Sequence, residues 1–213
     1  MAGTVAQDRD QAAAPRPAAA VVLVRDGAGE PEVLIVRRNP DARFMGGVWV
    51  FPGGSLQGAD YEAAGCSRSE GQLPLPAARI AARRELSEEA GIELPSSCEL
   101  APFTRWITPV GLPIRFDTLF FLARLPAQAT PRVDGAECVA ARFISPSGAL
   151  AGATAGELAL AFPTIKQLQS LAAFHSCEEI FAAASGFDLA PICPRIASTE
   201  QGARLLMPGD QGY

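Results

Sequence analysis

The sequence contains few of the residues on which zinc, disulfide and membrane proteins depend. Its 213 residues include a single histidine, His175, and five cysteines that form no Cys-x-x-Cys pair, so the common zinc-site patterns are absent. We interpret the scattered cysteines as small hydrophobes in a reducing compartment. The longest apolar run, residues 18–24, is too short to cross a bilayer, and the N-terminal residues show no charged-then-apolar signal pattern. We therefore expect a cytoplasmic protein without a membrane partner.

Positive charge is also scarce. The sequence has 18 Lys and Arg residues against 23 Asp and Glu residues, a net charge of −5, which argues against binding to nucleic acid polymers or anionic membranes. A local basic pocket for a small phosphorylated ligand remains compatible with this charge. The hydrophobic content of 48% is sufficient for the core of an ordinary soluble domain.

Strand-like and helical patterns alternate along the chain. Two runs rich in β-branched residues, 19–24 and 32–36, flank an Asp-Gly loop and predict a hairpin. Strands are further predicted at 48–51, 103–108, 114–125 and 137–143, helices at 77–90, 164–174 and 177–184, a turn at 147–152 and an edge strand at 204–207.

Residues 77–90 carry the strongest chemical signal. Pro76 suits the first turn of a helix, and Gly91 suits the left-handed residue that ends one. On this helix Glu85, Glu88 and Glu89 stand at i, i+3 and i+4, so three carboxylates share one face. A separate row is apolar: Ala78, Ala82, Leu86 and Ala90.

These like charges destabilise an isolated helix by about 0.2–0.5 kcal/mol per pair. A hard divalent cation would compensate, because Mg²⁺ binds one or two carboxylates together with phosphate oxygens. The alternative interpretation is a solvated acidic face without a ligand.

The residues around this helix resemble a known family motif. Gly53-Gly54 and the later segment RELSEEAGI, from Arg84, resemble the Nudix box, G-x5-E-x7-R-E-U-x-E-E-x-G-U with U an aliphatic residue. The second half matches at every specified position. In the first half, Asp60 takes the place of the glutamate, and 23 residues instead of seven separate it from Arg84. The box is therefore interpreted as split by an insertion at 55–75.

The resemblance implies a fold and a division of the chain. The expected fold is an α/β/α sandwich with a mixed β-sheet, formed by a Nudix domain at 17–150. Residues 1–16 are expected to form a flexible tail, and 151–213 a helical C-terminal extension packed on the same domain.

The resemblance also implies metal-dependent hydrolysis of a nucleoside diphosphate linked to another moiety. Glu85, Glu88 and Glu89 would hold Mg²⁺ or Mn²⁺, with Gly53 completing the shell through its carbonyl. Arg84 would orient the acidic cluster by pairing with a carboxylate such as Glu88. The general base remains open between Glu85 and Glu137.

A second motif narrows the expected substrate. The sequence LIVRRNPDARFMGGVWVFPGG, from Leu34, resembles the pattern L-L-T-x-R-[SA]-x3-R-x3-G-x3-F-P-G-G of family members that hydrolyse coenzyme A. Arg38 and Arg43 would bind substrate phosphates through bidentate, charge-assisted hydrogen bonds. The insertion also resembles the acyl-coenzyme A diphosphatase subgroup, which adds Gly54, Trp106 and Arg115 as expected substrate-binding residues.

Two rivals remain. The first is a Nudix hydrolase of ADP-ribose, a dinucleotide or an oxidised nucleotide, and the second is a non-catalytic module that senses a nucleotide. The intact row of glutamates favours an enzyme. A small nucleotide-type molecule is the expected partner in each case, and the family resemblance adds a homodimer.

Overall fold

The computed structural model describes residues 13–68, 72–125, 129–199 and 202–213. The strands are β1 (Arg16–Arg25), β2 (Glu32–Arg38), β3 (Trp49–Val50), β4 (Gly53–Ser55), β5 (Ala101–Ile107), β6 (Phe116–Arg124), β7 (Cys138–Ile144), β8 (Arg195–Thr199) and β9 (Gly202–Leu206). The helices are α1 (Gly58–Ala63), α2 (Leu75–Ala90), α3 (Pro146–Thr154), α4 (Phe162–Leu171) and α5 (Cys177–Ala183), followed by a 3₁₀ turn at Ala184–Gly186.

Seven of the strands form one mixed sheet. The central path runs β3-β2-β1-β6-β5, with β4 paired to β1 and β7 paired to β2. The β1–β6 pair is parallel, whereas β1–β2, β1–β4, β2–β3, β2–β7 and β5–β6 are antiparallel. The mixed sheet expected from the sequence is confirmed. Strands β8 and β9 form a separate two-stranded sheet.

Helices cover both faces of the large sheet. Alternate residues of β1 point to opposite faces, so Val21 and Leu23 pack into one core cluster with α2, while Val22 and Val24 pack into another with α3, α4 and α5. Because β1 is buried on both faces, its sequence is a continuous apolar run without polar alternation. The result is a three-layer α/β/α sandwich with β1 at its centre.

Most predicted elements are present, with shifted ends. Helix α2 begins at Leu75, two residues before the predicted start, and ends as predicted because Gly91 adopts φ 62°. Its apolar row is fully buried. The predicted turn at 147–152 is part of α3, where the Ser145 side chain accepts a hydrogen bond from the Gly148 N–H.

The segment predicted as an insertion loop contains α1, and residues 69–71 of that segment lie outside the described part of the chain. Residues 1–12 of the expected tail also lie outside it, while Arg16 already belongs to β1. The sequence interpretation missed β8, the partner of the predicted edge strand. Among the described helices, none is long and apolar enough to cross a membrane.

Candidate active site

Two carboxylates of α2 are buried under the end of the central sheet. Glu89 is 1% exposed and Glu85 is 7% exposed. Glu89 accepts a hydrogen bond from the Gly53 N–H, and Glu85 lies beside Gly54. Strand β4 pairs with β1, with Gly53 opposite Ala20 and Gly54 opposite Ala19. On its other side it contacts α2, through the hydrogen bond from the Gly53 N–H to Glu89. The Pro-Gly-Gly segment therefore brings its backbone directly against the acidic end of α2.

The missing side chain of Gly54 makes room for Glu85. A Cβ atom at Gly54 would lie 2.4 Å from Glu85 Oε1 and 2.6 Å from its Cδ. A Cβ atom at Gly53 would instead lie 2.4 Å from Ala20 Cβ and 2.6 Å from the Ala19 carbonyl oxygen. The first glycine is required for strand pairing, and the second for the carboxylate position.

Arg84 ties the acidic residues together. Its guanidinium donates to Asp60 Oδ2 at 2.9 Å, to Glu85 Oε1 at 2.8 Å and to Glu88 Oε2 at 2.9 Å, and also to the Ser55 carbonyl at 3.1 Å. The predicted pairing of Arg84 with Glu88 is thus observed. Although partial burial lowers the pKa of Arg84, the bonds to Asp60 and Glu85 outweigh it and raise that pKa.

Asp60 is the partner that the split motif made uncertain. It is 2% exposed, and it holds Arg84 through both side-chain oxygens. It also accepts a 2.7 Å hydrogen bond from the Gln57 N–H at the start of α1. The insertion therefore folds Asp60 back onto Arg84, although 23 residues lie between them in the sequence.

Glu89 is the carboxylate of the site that is least exposed to solvent. Its Oε2 accepts a 2.8 Å hydrogen bond from the Gly53 N–H, and its Oε1 lies 3.6 Å from Arg38 Nη1. The pKa of Glu89 is raised to about 7, mainly by burial and further by the nearby carboxylates of Glu85 and Glu137. The hydrogen bond from Gly53 and the positive charge of Arg38 lower the pKa and offset part of this rise. Burial likewise raises the pKa of Glu85, despite the bond from Arg84.

Both buried carboxylates face a cavity of about 650 Å³. Arg38, Gly53, Gly54 and Glu137 also line it. Much of the remaining wall is apolar and includes Phe44, Phe51, Trp106, Leu112, Phe162 and Leu205. The cavity therefore has a charged end at α2 and an apolar end formed partly by residues beyond 150.

A smaller, polar pocket of about 330 Å³ adjoins this charged end, with Arg38 and Glu137 in both walls. Glu137 is exposed, and in the described part of the chain its carboxylate has no hydrogen bond or ion pair. Arg38 is held in place by the 3.2 Å hydrogen bond from its Nε to the Phe44 carbonyl.

The two buried carboxylates fit a divalent cation. Each would carry a poorly solvated negative charge when ionised, which is the condition that a bound cation relieves. Two carboxylates, completed by substrate oxygens and water, are a donor set that Mg²⁺ accepts. No group of three or more Asp, Glu, His or Cys side chains is positioned to hold a metal within the described ranges.

Three residues expected at the site are not part of the cavity wall. The Glu88 side chain is 52% exposed and paired with Arg84 beside Glu85, so its expected role as a metal ligand stays a prediction. Arg43 is exposed and also outside the wall. Arg115 is buried, and its guanidinium donates to the Thr108 and Ala13 carbonyls, so two of its donors are used within the protein and its expected role in substrate binding stays a prediction.

The apolar end, apart from Trp106, was not expected from the sequence. Its aromatic and aliphatic residues come from separate elements, and each taken alone has the pattern of an ordinary core residue. Met45, which also lines the cavity, has a positive φ of 54°, a conformation that a sequence pattern does not reveal for methionine. One feature of the sequence indicated a role for Asp60: it stands at the position of the first glutamate of the Nudix box.

Comparisons with known proteins identify the family of this fold. No family model matches the chain. The structure is similar to the crystal structure of a Nudix hydrolase from Alicyclobacillus acidocaldarius, with 30% sequence identity and a TM-score of 0.70 over 83% of this chain and 98% of that one.

Two further solved structures share the fold at lower identity. One is the Nudix domain of Shewanella oneidensis NrtR complexed with ADP ribose, with 18% identity and a TM-score of 0.51 over 77% of this chain and 90% of that one. The other is a C. elegans Ap4A hydrolase binary complex, with 17% identity and a TM-score of 0.51 over 81% and 99% of the two chains. Given the first similarity and the split box on α2, the chain belongs to the Nudix hydrolase family, enzymes that act on pyrophosphate bonds.

Proposed function

We propose that the enzyme hydrolyses the pyrophosphate of coenzyme A or acyl-coenzyme A, giving adenosine 3′,5′-bisphosphate and phosphopantetheine or its acyl form. The observation that carries this proposal is the two-ended cavity. With a divalent cation held by Glu85 and Glu89, its charged end would suit a diphosphate, and its apolar end suits a long arm with few charges. The coenzyme A-type motif around Arg38 and Phe51 supports the same substrate.

The residues at the charged end have complementary roles in this proposal. Glu85 and Glu89 would hold a divalent cation, which members of this family generally use and which would draw negative charge from the diphosphate oxygens. Arg84 and Asp60 keep Glu85 in position, because the ion pairs restrict its rotamers. Arg38 donates to a phosphate oxygen from the junction of the two pockets.

A water molecule must also be activated for attack on phosphorus. Glu137 is the base in this proposal, since its carboxylate reaches the cavity and has no protein partner among the described residues. Glu85, the other candidate, is occupied by the 2.8 Å contact with Arg84. Hence Glu137→Gln is expected to lower kcat by a factor of about 10²–10⁴, the usual contribution of a general base, with little change in KM.

The substrate is tested by incubating the protein with Mg²⁺ or Mn²⁺ and identifying products by mass. Parallel reactions contain coenzyme A, acyl-coenzyme A esters, ADP-ribose, a reduced dinucleotide and oxidised dGTP. Adenosine 3′,5′-bisphosphate together with a phosphopantetheine product is the expected result. Turnover confined to ADP-ribose or another nucleotide would refute the proposed substrate while leaving the acidic helix as the reactive centre.

A further inference from the structure

The backbone around Glu137 is fixed by hydrogen bonds, although residues 134–137 are exposed. The Asp134 carboxylate accepts from the backbone N–H groups of Ala136, Glu137 and Cys138, at distances of 3.1–3.2 Å. These bonds, led by the one from Glu137, hold the pKa of Asp134 below its ordinary value. The carboxylate is therefore charged at neutral pH, and it strengthens each of the bonds it accepts.

Asn39 holds the other side of the same backbone. Its Nδ2 donates to the Ala136 carbonyl at 2.8 Å, and its backbone N–H donates to the Glu137 carbonyl at 2.8 Å. The Asn39 Oδ1 accepts a 3.0 Å hydrogen bond from the Asp41 N–H, which fixes the orientation of the amide. The backbone N–H and carbonyl groups of Ala136 and Glu137 are thus all paired, in a segment that faces solvent.

Asn39 is also a position where this chain departs from the coenzyme A-type pattern. That pattern has serine or alanine directly after its first arginine, whereas this chain has Asn39 after Arg38. Alanine has no side-chain donor, and the serine hydroxyl is on a shorter side chain than the asparagine amide. The amide joins two segments that are 97 residues apart in the sequence.

The regular strand pairing does not fix Glu137. Strand β7 begins at Cys138, which pairs with Arg38, and the next pair along β7 skips Val139 and so forms a β-bulge. Bulges beside a site change the direction of neighbouring side chains. Glu137 lies just before this bulge and lines both pockets, so its backbone depends on the bonds to Asp134 and Asn39.

We propose that Asn39 and Asp134 are positioning residues that hold the Glu137 carboxylate at the junction of the two pockets. This inference rests on the proposed role of Glu137 as general base, but not on the identity of the substrate. A base must stay within hydrogen-bond reach of the attacking water. A fixed backbone below a carboxylate that has no partner among the described residues meets this requirement, because little motion remains to be restricted during the reaction.

The test is a double-mutant cycle with Glu137→Gln, measured on whichever compound the enzyme is found to cleave. Asp134→Ala is expected to lower kcat about 10²-fold, the effect of misplacing a reacting group by about 1 Å, with less than about twofold change in KM. Asn39→Ser removes one hydrogen bond and is expected to lower kcat about tenfold. In the Glu137→Gln background, each substitution is expected to lower kcat by less than about twofold, because the group it positions is absent.

Two further variants separate positioning from a general loss of structure. Asp134→Asn keeps a side-chain oxygen that accepts from the same N–H groups, and it is expected to restore most of the rate. Asp188→Ala is the matched control. The Asp188 Oδ1 accepts a 2.8 Å bond from the Ala190 N–H two residues on, as Asp134 does from Ala136, but Asp188 lies outside both pocket walls. Its substitution is expected to leave kcat unchanged.

Hydrogen exchange followed by mass spectrometry tests the same bonds without turnover. The amides of residues 136–138 are expected to exchange faster in Asp134→Ala than in wild type, because they lose their acceptor. Unchanged exchange in this segment would contradict the inference.

The kinetic outcomes separate the inference from the proposals beneath it. Wild-type kcat in Asp134→Ala and Asn39→Ser, with Glu137→Gln impaired, overturns the inference and leaves the base in place. Equal losses in the wild-type and Glu137→Gln backgrounds also overturn it, since they show a general structural defect. Wild-type kcat in Glu137→Gln refutes the base, and the positioning role with it. Cleavage of ADP-ribose in place of coenzyme A refutes only the substrate, and the cycle is then measured on ADP-ribose.

Discussion

Alanine substitutions at Gly53 and Gly54, the two adjacent glycines of β4, are expected to have different effects on stability and activity. A Cβ atom at Gly54 would lie 2.4 Å from Glu85 Oε1, whereas ordinary contacts begin at 3.4 Å, so the carboxylate must move by about 1 Å. Arg84 and Asp60 oppose that movement through their ion pairs. A 1 Å misplacement of a reacting or cation-binding group lowers the rate by roughly 10²-fold.

The substitution Gly54→Ala is therefore expected to lower kcat/KM by about 10²-fold while the protein stays folded. Gly53→Ala differs because its Cβ would meet Ala20 and the Ala19 carbonyl of β1, and backbone in the central strand cannot swing away. Overpacking of this kind costs about 1–3 kcal/mol of unfolding free energy. Gly53→Ala is thus expected to act mainly by lowering the unfolding free energy.

The assays are urea unfolding followed by circular dichroism, and initial rates on the substrate identified by product mass. Gly58→Ala is the matched control, because a Cβ at Gly58 meets nothing within 4 Å. It is expected to preserve both stability and rate. Wild-type activity in Gly54→Ala would refute the argument that the glycine sets the position of Glu85, and unchanged stability in Gly53→Ala would refute the strand contact.

Four further substitutions probe the charged groups. Asp60→Asn is expected to cost about 3 kcal/mol in urea unfolding, as for a broken buried ion pair, and to lower kcat; an unchanged kcat would remove Asp60 from the positioning of Arg84. Arg38→Ala is expected to raise KM at least about tenfold, as for a lost charge-assisted hydrogen bond. Arg43 is exposed, so Arg43→Ala serves as the control and is expected to change KM less than about twofold. Equal effects of the two variants on KM would contradict the placement of Arg43 outside the cavity. The pKa of Glu89 is about 7 in the folded protein, above the ordinary value of 4.5. Raising the pH from 4.5 to 7 therefore lowers the unfolding free energy of the metal-free protein by roughly 3 kcal/mol. Glu89→Gln should abolish that loss in EDTA, and a stability–pH curve identical to that of wild type would contradict this prediction.

The elements that the sequence predicted best are those whose signals are local. Helix α2 has Pro76 in its first turn and Gly91 at its end, and its apolar row needed only helical periodicity to be identified. The hairpin of β1 and β2 had an Asp-Gly loop between two apolar runs. In these cases the determinants lie within a few residues of each other.

The site was only partly predictable because it depends on distant contacts. Arg84 and the buried Glu85 and Glu89 follow from one motif, but the 23-residue spacer concealed the pairing of Asp60 with Arg84. Helical spacing predicted the pairing of Glu88 with Arg84, which the structure shows, but it could not show that Glu85 and Glu89 are buried against β4.

Distant parts of the chain had still weaker signals. Arg115 was expected to bind substrate because its segment resembles the acyl-coenzyme A diphosphatase subgroup, and only the tertiary structure shows its bonds to backbone carbonyls. The apolar end of the cavity unites Phe44, Trp106 and Phe162. Of these only Trp106 was expected at the site, because a sequence does not distinguish the other two from core residues.

The central claim is that buried carboxylates of α2 drive pyrophosphate hydrolysis at the charged end of the cavity. The most direct measurement compares wild type and Glu89→Gln for release of adenosine 3′,5′-bisphosphate from coenzyme A with Mg²⁺, quantified by mass spectrometry. The account predicts product from wild type and a loss of at least about 10²-fold in the variant, with circular dichroism showing an intact fold. Release of the same product at wild-type rate by Glu89→Gln would contradict the claim.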